Sequence, residues 1–283
     1  MTRPLIMGIV NVTPDSFSDG GRWFDHAAAI EHGRELVRQG ADIVDVGGES
    51  TRPGSARPEA GEELDRVLPV VSALARDGIR VSVDTMRASV AQAALAAGTE
   101  FVNDVSAGLA DPDMIPLVAR LDATYIAMHW RGHGDSMQQL AHYDDVVADV
   151  RRELLAQVEV ILAAGVEPDQ VILDPGLGFA KTPEHNWALM AHLDEFTSLG
   201  YRVLVGASRK TFLGRLGGGE PVPPDQRDAA TAATSLLSAQ AGAWAVRVHD
   251  VPSTLAALQV HEAVTAAAAA AETATGAPDR PRP

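Results

Sequence analysis

The chain has 283 residues, contains no cysteine and carries a formal net charge of −15, from 38 acidic and 23 basic side chains. The acidic surface disfavours nucleic acid and anionic membranes as partners, and the lack of cysteine excludes disulfides, thiolate catalysis and cysteine-ligated zinc. Because no apolar run approaches the length of a membrane span, we expect a cytoplasmic protein.

Short apolar runs alternate with longer helical patterns along the whole chain. The runs are rich in Val, Ile and Leu and show no clear polar alternation, which is typical of strands buried on both faces. We predict eight strands, at Leu5–Val10, Asp42–Val46, Arg80–Asp84, Phe101–Asp104, Thr124–Met128, Val171–Asp174, Arg202–Gly206 and Ala245–His249.

Helical periodicity fills the segments between these strands. We predict helices at Asp25–Gln39, Glu59–Arg76, Ala88–Ala97, Pro112–Arg120, Asp144–Ala164, Glu184–Ser198, Arg227–Gln240 and Pro252–Ala271. Five glycines shortly before a strand are predicted to terminate helices. They are Gly40, Gly78, Gly98, Gly165 and Gly200.

Repeated strand–helix units can close into a barrel or form an open, doubly wound sheet. The chain length and the count of units favour the α/β class with a (β/α)8 TIM-barrel architecture. No Gly-x-Gly-x-x-Gly turn follows the first strand, which argues against a dinucleotide-binding sheet. We predict one barrel domain over residues 1–271 and a disordered C-terminal tail over 272–283.

Polar residues stand at the end of every predicted strand, where barrel enzymes carry their active sites. They are Asn11, the Gly47–Gly54 segment, Asp84, Asn103 with Asp104, His129, Asp174, the Ser208–Lys210 segment, and Arg247 with His249. Each alone has a plain structural explanation, such as helix capping for Asp84 or a satisfied buried imidazole for His129. Their convergence on one barrel opening predicts an active site.

The polar residues at this opening divide into two chemical sets. The carboxylate and amide groups of Asp84, Asn103 and Asp174 suit the hydrogen-bonding edge of a heterocycle. The second set is cationic or can become so, and consists of Arg52, Lys210, Arg247 and His249. These side chains suit phosphate or carboxylate, and the alternative is that they simply pair with carboxylates at the rim.

The sequence lacks the spacings of a zinc site and of a Ser-His-Asp triad. Magnesium is not excluded, because it needs only one or two protein oxygens beside substrate phosphate. Two long loops, 11–24 and 47–58, are typical of lids over a barrel mouth. Phe17 and Phe179 lie in rim loops, where an aromatic ring could stack on a flat substrate or simply pack the loop.

Seven motifs resemble, in order, those of the dihydropteroate synthases, a family of pterin-binding barrels. They are Asn11–Gly21, Gly47–Gly54, Val83–Thr85, Asn103–Val105, Leu173–Gly176, Gly206–Lys210 and Arg247–Val251. The resemblance implies a transferase of folate biosynthesis that joins 4-aminobenzoate to (7,8-dihydropterin-6-yl)methyl diphosphate. The implied products are 7,8-dihydropteroate and diphosphate, formed by diphosphate departure and attack of the aryl amine on the pterin methylene. It also implies Mg²⁺ and a homodimer.

The resemblance assigns roles to individual residues. It implies pterin binding by Asp84, Asn103, Met128, Asp174 and Lys210. It implies diphosphate binding by Asn11, Arg52, Arg247 and His249, with Asn11 also holding the metal. It implies an aminobenzoate side formed by Phe17, Thr51, Pro53, Phe179 and Ser208, closed by the loop around Asp15.

Two alternatives remain open at this point. One is a paralogue that binds a pterin without catalysing a reaction, and the other is a methyltetrahydrofolate:corrinoid methyltransferase. The intact Asn11 loop and the Arg247/His249 pair argue against the first. The methyltransferase has no need of diphosphate-binding cations or of the Ser-Thr-Arg-Pro-Gly loop, both of which this sequence has.

Overall fold

The computed structural model describes residues 3–13, 26–49, 58–133, 137–217 and 220–275. Eight parallel strands close into a barrel in chain order. They are β1 (Leu5–Asn11), β2 (Ile43–Gly47), β3 (Val81–Asp84), β4 (Phe101–Asp104), β5 (Thr124–Met128), β6 (Val171–Asp174), β7 (Arg202–Val205) and β8 (Ala245–Val248). The predicted (β/α)8 fold is confirmed, and β4, β5 and β6 have the predicted bounds.

Helices follow the strands. They are α1 (His26–Arg38), α2 (Ala60–Arg76), α3 (Ala88–Ala96), α4 (Met114–Leu121), α5 (Val146–Ala163), α6 (Pro183–Ala191), α7 (Asp194–Thr197), α8 (Asp228–Gln240) and α9 (Val251–Thr275). The five glycines predicted to end helices all have φ between +77° and +108°. This left-handed backbone is the conformation that a helix C-terminal cap requires.

Two helix predictions need correction. The single helix predicted at Glu184–Ser198 is two helices, α6 and α7, because His192 leaves the helical region with φ −125° and ψ 35°. The final helix continues to Thr275, past its predicted end at Ala271. The rest of the predicted tail, 276–283, lies outside the described residues.

The core has two layers of different composition. A large cluster of Val, Leu, Ile and Ala side chains fills the space between the strands and the surrounding helices. A smaller apolar cluster takes one residue from each of seven strands, namely Met7, Ile43, Phe101, Ile126, Ile172, Leu204 and Ala245. Since side chains alternate between the two faces of a strand, residues two positions further along share the face of this cluster.

The described part of the chain contains no helix with the length and apolarity that a bilayer crossing requires.

Candidate active site

The site begins two residues beyond the smaller apolar cluster, on the same face of the strands. Asp45 follows Ile43, Asn103 follows Phe101, Met128 follows Ile126, Asp174 follows Ile172 and Arg247 follows Ala245. Asp84 has the equivalent place on β3, where it pairs in register with Asn103 of β4. The barrel interior is therefore apolar at one level and predominantly polar at the next, toward the carboxyl ends of the strands.

Asp45 is the shared acceptor of this polar layer. Its fully buried carboxylate accepts hydrogen bonds from Arg247 Nε at 2.6 Å and from Asn103 Nδ2 at 3.0 Å, both on Oδ2. Arg247 Nη2 also donates to Asp84 Oδ2 at 2.8 Å. Asp45 is not among the predicted site residues, although its place two residues after Ile43 inside a buried strand indicates that it faces the barrel interior.

Arg247, from the cationic set, contacts two carboxylates at the same level of the barrel. Its guanidinium bridges the carboxylates of Asp45 and Asp84. The physical reason is that a largely buried guanidinium needs charge compensation, and the nearest carboxylates supply it. Ion pairing, the alternative weighed above, is how the structure holds Arg247.

The pKa of the Asp84 carboxyl is shifted toward neutral pH. Burial raises its pKa to about 7, against the opposing effect of the Arg247 guanidinium, while the Asp45 and Glu63 carboxylates raise the pKa further. Such a group can change protonation state in the physiological range. Its interaction with a ligand should therefore depend on pH.

Asp174 and Lys210 lie on the other side of the opening, where their opposite charges influence each other. Gly176 N–H donates to Asp174 Oδ1 at 2.7 Å, and burial raises the pKa of Asp174 against the opposing charge of Lys210. Burial likewise lowers the pKa of Lys210 to about 8. The Lys210 ammonium donates to the Leu177 carbonyl and lies 4.6 Å from the centre of the Phe179 ring.

The loop between β6 and α6 has an unusual backbone. Gly176, Gly178 and Ala180 have φ of +69°, +80° and +47°, so every second residue is left-handed. A Cβ on Gly176 would lie 2.3 Å from the His129 carbonyl oxygen, which explains why only glycine fits there. The loop thereby directs the carbonyls of Leu177 and Phe179 toward lysine side chains.

Ser208 and His249 lie together after β7 and β8. Ser208 Oγ is 2.9 Å from His249 Nδ1 and accepts a hydrogen bond from the His249 backbone N–H at 3.1 Å. Between Ser208 and Lys210, Arg209 has φ +57° and turns its side chain away to Asp228, with two contacts of 2.7 Å. A hydroxyl and an imidazole thus stand next to the charged layer.

An apolar patch completes the described part of the opening. Met128 is 3% exposed and packs with Met86 and Val105, and Trp130 and Phe179 pack against them. Methionine and aromatic side chains suit the faces of a flat heterocycle, whereas the neighbouring polar layer suits its edge.

Two of the polar strand-end residues are structural. His129 is buried with both ring nitrogens engaged, Nε2 with Glu153 at 2.9 Å and Nδ1 with Lys181 at 2.9 Å. The Asp104 carboxylate accepts from Ser106, from the Gly108 backbone and from the Tyr125 hydroxyl. Asp104 lies one residue out of phase with Asn103, so it faces the helices rather than the opening.

The remaining predicted site residues belong to the loops after β1 and β2, with Asn11 at the start of the first. Asn11 ends β1 beside Gly47 and is partly exposed. Residues Asp15, Phe17, Thr51, Arg52 and Pro53 lie outside the described residues.

Comparisons with known proteins identify the family of this chain. The sequence model of a family described as pterin binding enzyme matches residues 7–249. The chain is 53% identical over 259 residues to a dihydropteroate synthase of Mycobacterium leprae, covering 90% of this chain and 91% of that protein. It is 42% identical over 250 residues to a dihydropteroate synthase of Bacillus subtilis, covering 88% and 84% respectively.

Solved structures give the same result. A Xanthomonas albilineans dihydropteroate synthase with 4-aminobenzoic acid matches with a TM-score of 0.87 and 46% identity, covering 93% of this chain and 94% of that chain. The Xanthomonas albilineans enzyme in complex with 7,8-dihydropteroate matches with a TM-score of 0.83 and 44% identity, at the same coverage.

Proposed function

Because this chain belongs to the family of pterin-binding enzymes, we infer that it catalyses the reaction of its dihydropteroate synthase relatives. It is a transferase of folate biosynthesis that condenses (7,8-dihydropterin-6-yl)methyl diphosphate with 4-aminobenzoate. The products are 7,8-dihydropteroate and diphosphate. The observation that carries this assignment is the polar layer of Asp84, Asn103 and Asp174 beside the apolar patch around Met128. Asn103 and Asp174 are buried, and the Asp84 side chain is 11% exposed.

This layer has the hydrogen-bonding pattern that a pterin needs. The carboxylates of Asp84 and Asp174 accept from ring N–H and exocyclic amine donors, and the Asn103 amide can both accept and donate. The Lys210 ammonium offers a donor to the ring carbonyl or a ring nitrogen. Met128 packs on the flat face of the ring and so fixes the plane in which these contacts form.

The same charges favour the bond-breaking step. Positive charge develops on the pterin methylene as diphosphate leaves, and fixed carboxylates close to it stabilise that charge. Arg247 and His249, with Arg52, hold the departing anion in this proposal. The aryl amine attacks as a neutral nucleophile. The enzyme contributes by positioning the two substrates and by the electrostatic field of the site, and it forms no covalent intermediate.

Magnesium fits this arrangement through Asn11. The Asn11 amide oxygen is a hard donor at a strand end, and Mg²⁺ would need only one protein oxygen beside those of the diphosphate and of water. When bound, the ion neutralises charge on the diphosphate and improves it as a leaving group.

The aminobenzoate side is proposed next to the Lys210 ammonium. Phe179 offers its ring to the aryl group and Ser208 offers a hydroxyl. Phe17, Thr51 and Pro53 complete this side in the proposal, which rests for these three on the motifs that they share with the family.

The test is diphosphate release from the pterin substrate with Mg²⁺, with and without 4-aminobenzoate. Amine-dependent release with formation of 7,8-dihydropteroate supports the assignment. Pterin binding without turnover would identify a silent paralogue. Methyl transfer from methyltetrahydrofolate to a corrinoid protein would identify a methyltransferase instead.

A cytoplasmic homodimer completes the proposal. Support comes from the family resemblance and from exposed apolar side chains on α8 and α9, where Leu237, Val260 and Val264 are 49%, 61% and 64% exposed. Sedimentation velocity across a range of concentrations tests the dimer, and a monomer throughout that range would contradict it. Cell fractionation tests the location.

A further inference from the structure

The structure holds a buried lysine to which neither the sequence analysis nor the proposed reaction assigns a role. Lys181 is 3% exposed, and its ammonium contacts His129 Nδ1 at 2.9 Å and donates to the Phe179 carbonyl at 3.0 Å. Burial, the largest cause, lowers the pKa of Lys181 well below its ordinary value, and the Lys210 ammonium lowers it further. A cation that is this costly to bury calls for a structural or functional reason.

The imidazole of His129 links Lys181 to the carboxylate of Glu153. His129 Nε2 lies 2.9 Å from Glu153 Oε2, and Arg131 pairs with both oxygens of Glu153 at 2.5 and 2.9 Å. Burial, with the Lys181 charge, lowers the pKa of His129 to about 4, so the ring is neutral near pH 7. The neutral ring accepts from Lys181 at Nδ1 and donates to Glu153 at Nε2, which fixes its tautomer.

Lys181 acts on the alternately left-handed loop between β6 and α6. Two lysines donate hydrogen bonds to this loop. Lys210 donates to the Leu177 carbonyl, and Lys181 donates to the Phe179 carbonyl. The Phe179 ring, on the same residue that Lys181 holds, lies 4.6 Å from the Lys210 ammonium. The position of the ring therefore depends on a main-chain conformation that Lys181 stabilises.

We propose that Lys181 is a positioning residue for the condensation. Through the Phe179 carbonyl it fixes the backbone that places the Phe179 ring against the Lys210 ammonium, and His129 aims Lys181 at that carbonyl. This proposal rests on the proposed function, because the substrate contacts of Phe179 and Lys210 are themselves part of that function. Lys181 itself touches no reacting atom.

Two substitutions of His129 separate this role from simple core packing. In His129→Asn the side-chain amide stands near the place of Nδ1, so it keeps an acceptor for Lys181 and loses Glu153. In His129→Gln the amide reaches the place of Nε2, so it keeps a donor for Glu153 and leaves Lys181 without its acceptor. Lys181→Met removes the ammonium and keeps the buried stem.

A matched control exists in the same loop. The Tyr143 hydroxyl donates to the next carbonyl, that of Ala180, at 3.1 Å. Tyr143→Phe therefore removes one hydrogen bond from the loop without touching the Phe179 carbonyl. Any general loosening of the loop should appear in this variant too.

The experiment measures steady-state constants for both substrates, Tm, and amide hydrogen exchange of the segment 175–182 in the intact protein. Lys181→Met and His129→Gln should raise the KM for 4-aminobenzoate about tenfold, the size of one lost charge-assisted hydrogen bond. In both variants kcat should change less than KM, and exchange in 175–182 should increase. His129→Asn and Tyr143→Phe should stay within about twofold of the unmodified protein.

Equal effects of His129→Asn and His129→Gln would overturn the proposal, as would a fall in Tm with unchanged KM. Unchanged exchange in 175–182 in His129→Gln and Lys181→Met would also overturn it, and this readout does not depend on activity. An unmodified protein without amine-dependent turnover would instead refute the proposed function. The two failures are therefore distinguishable, even if Lys181→Met does not fold.

Discussion

The two sides of the barrel opening are held by different means. On the side of β2, β3 and β8, charged side chains hold one another, with Arg247 between Asp45 and Asp84. On the side of β6 and β7, the backbone holds the charged groups, since Gly176 N–H binds Asp174 and two carbonyls bind Lys210 and Lys181. The first side is a network of ion pairs and the second is a shaped loop.

This difference determines which substitutions should destabilise each side of the opening. Breaking a buried ion-pair network leaves a charge without compensation, so the first side should respond strongly to the loss of charge. The second side should respond to changes in backbone conformation, because its hydrogen bonds exist only in one arrangement of the loop. Four predictions test the contrast, from the largest effect to the smallest.

Asp45→Asn should have the largest effect. It removes the charge that Arg247 and Asn103 share, and the free energy of unfolding should fall by about 3 kcal/mol, as for other broken buried pairs. Urea denaturation measures it. The control is Glu100→Gln, in the exposed Arg80–Glu100 pair at 2.6 Å, which should cost less than about 1 kcal/mol. Equal costs would show that Asp45 is not the shared acceptor described here.

Asp84→Asn and Arg247→Ala should be strongly coupled. Asp84→Asn should weaken pterin binding, Arg247→Ala should mainly weaken diphosphate binding, and the double variant should lose less than the sum. Because the two side chains touch at 2.8 Å, a double-mutant cycle in kcat/KM should give about 1–3 kcal/mol of coupling. Additive effects would mean that the contact does not matter for the reaction, and equal, small effects would contradict the roles proposed.

The pH dependence of kcat/KM should report one group from each side. The Asp84 carboxylate, with its pKa raised to about 7, should bind the pterin better as pH rises through that value. The Lys210 ammonium, with its pKa lowered to about 8, should lose its proton above that value, so activity should then fall. The plot of kcat/KM against pH should therefore be a narrow bell-shaped curve.

Asp84→Asn should flatten the acidic limb of this bell, and Lys210→Arg should move the basic limb upward. An acidic limb that survives in Asp84→Asn would assign it to another group. The contribution of Asp84 to the free energy of unfolding should change in the opposite direction to kcat/KM. A carboxyl with a raised folded-state pKa contributes most at low pH, and that contribution is lost as pH rises to about 7.

Ala180→Gly should have the smallest effect and the opposite sign. Ala180 has φ +47°, a conformation that costs a residue with a Cβ about 1–2 kcal/mol, partly offset by the greater unfolded-state entropy of glycine. We expect a gain of about 0.5 kcal/mol in the free energy of unfolding. Ala93→Gly, inside α3, is the control and should lose about 1 kcal/mol. A loss in both would show that the loop stores no strain.

The strand order and the position of the opening were predictable because they depend on local patterns. Eight buried runs, each followed by polar residues, indicated a barrel and its functional end. Asp45 was missed because a run of Ile, Val and Val around one carboxylate was taken as uniformly buried, without asking which side chains share a face. Lys181 was missed because the loop after β6 was considered only for its aromatic residue.

The sequence by itself determined the alternation of strands and helices, the left-handed glycines at helix ends and the set of polar residues at the barrel mouth. Only the tertiary structure decided which of these residues face inward and which charges pair. Arg247 and Asp45 are 202 residues apart in the chain, and closure of the barrel alone brings them within hydrogen-bonding distance. Periodicity is a property of neighbours in sequence, whereas charge compensation in a buried layer is settled between neighbours in space.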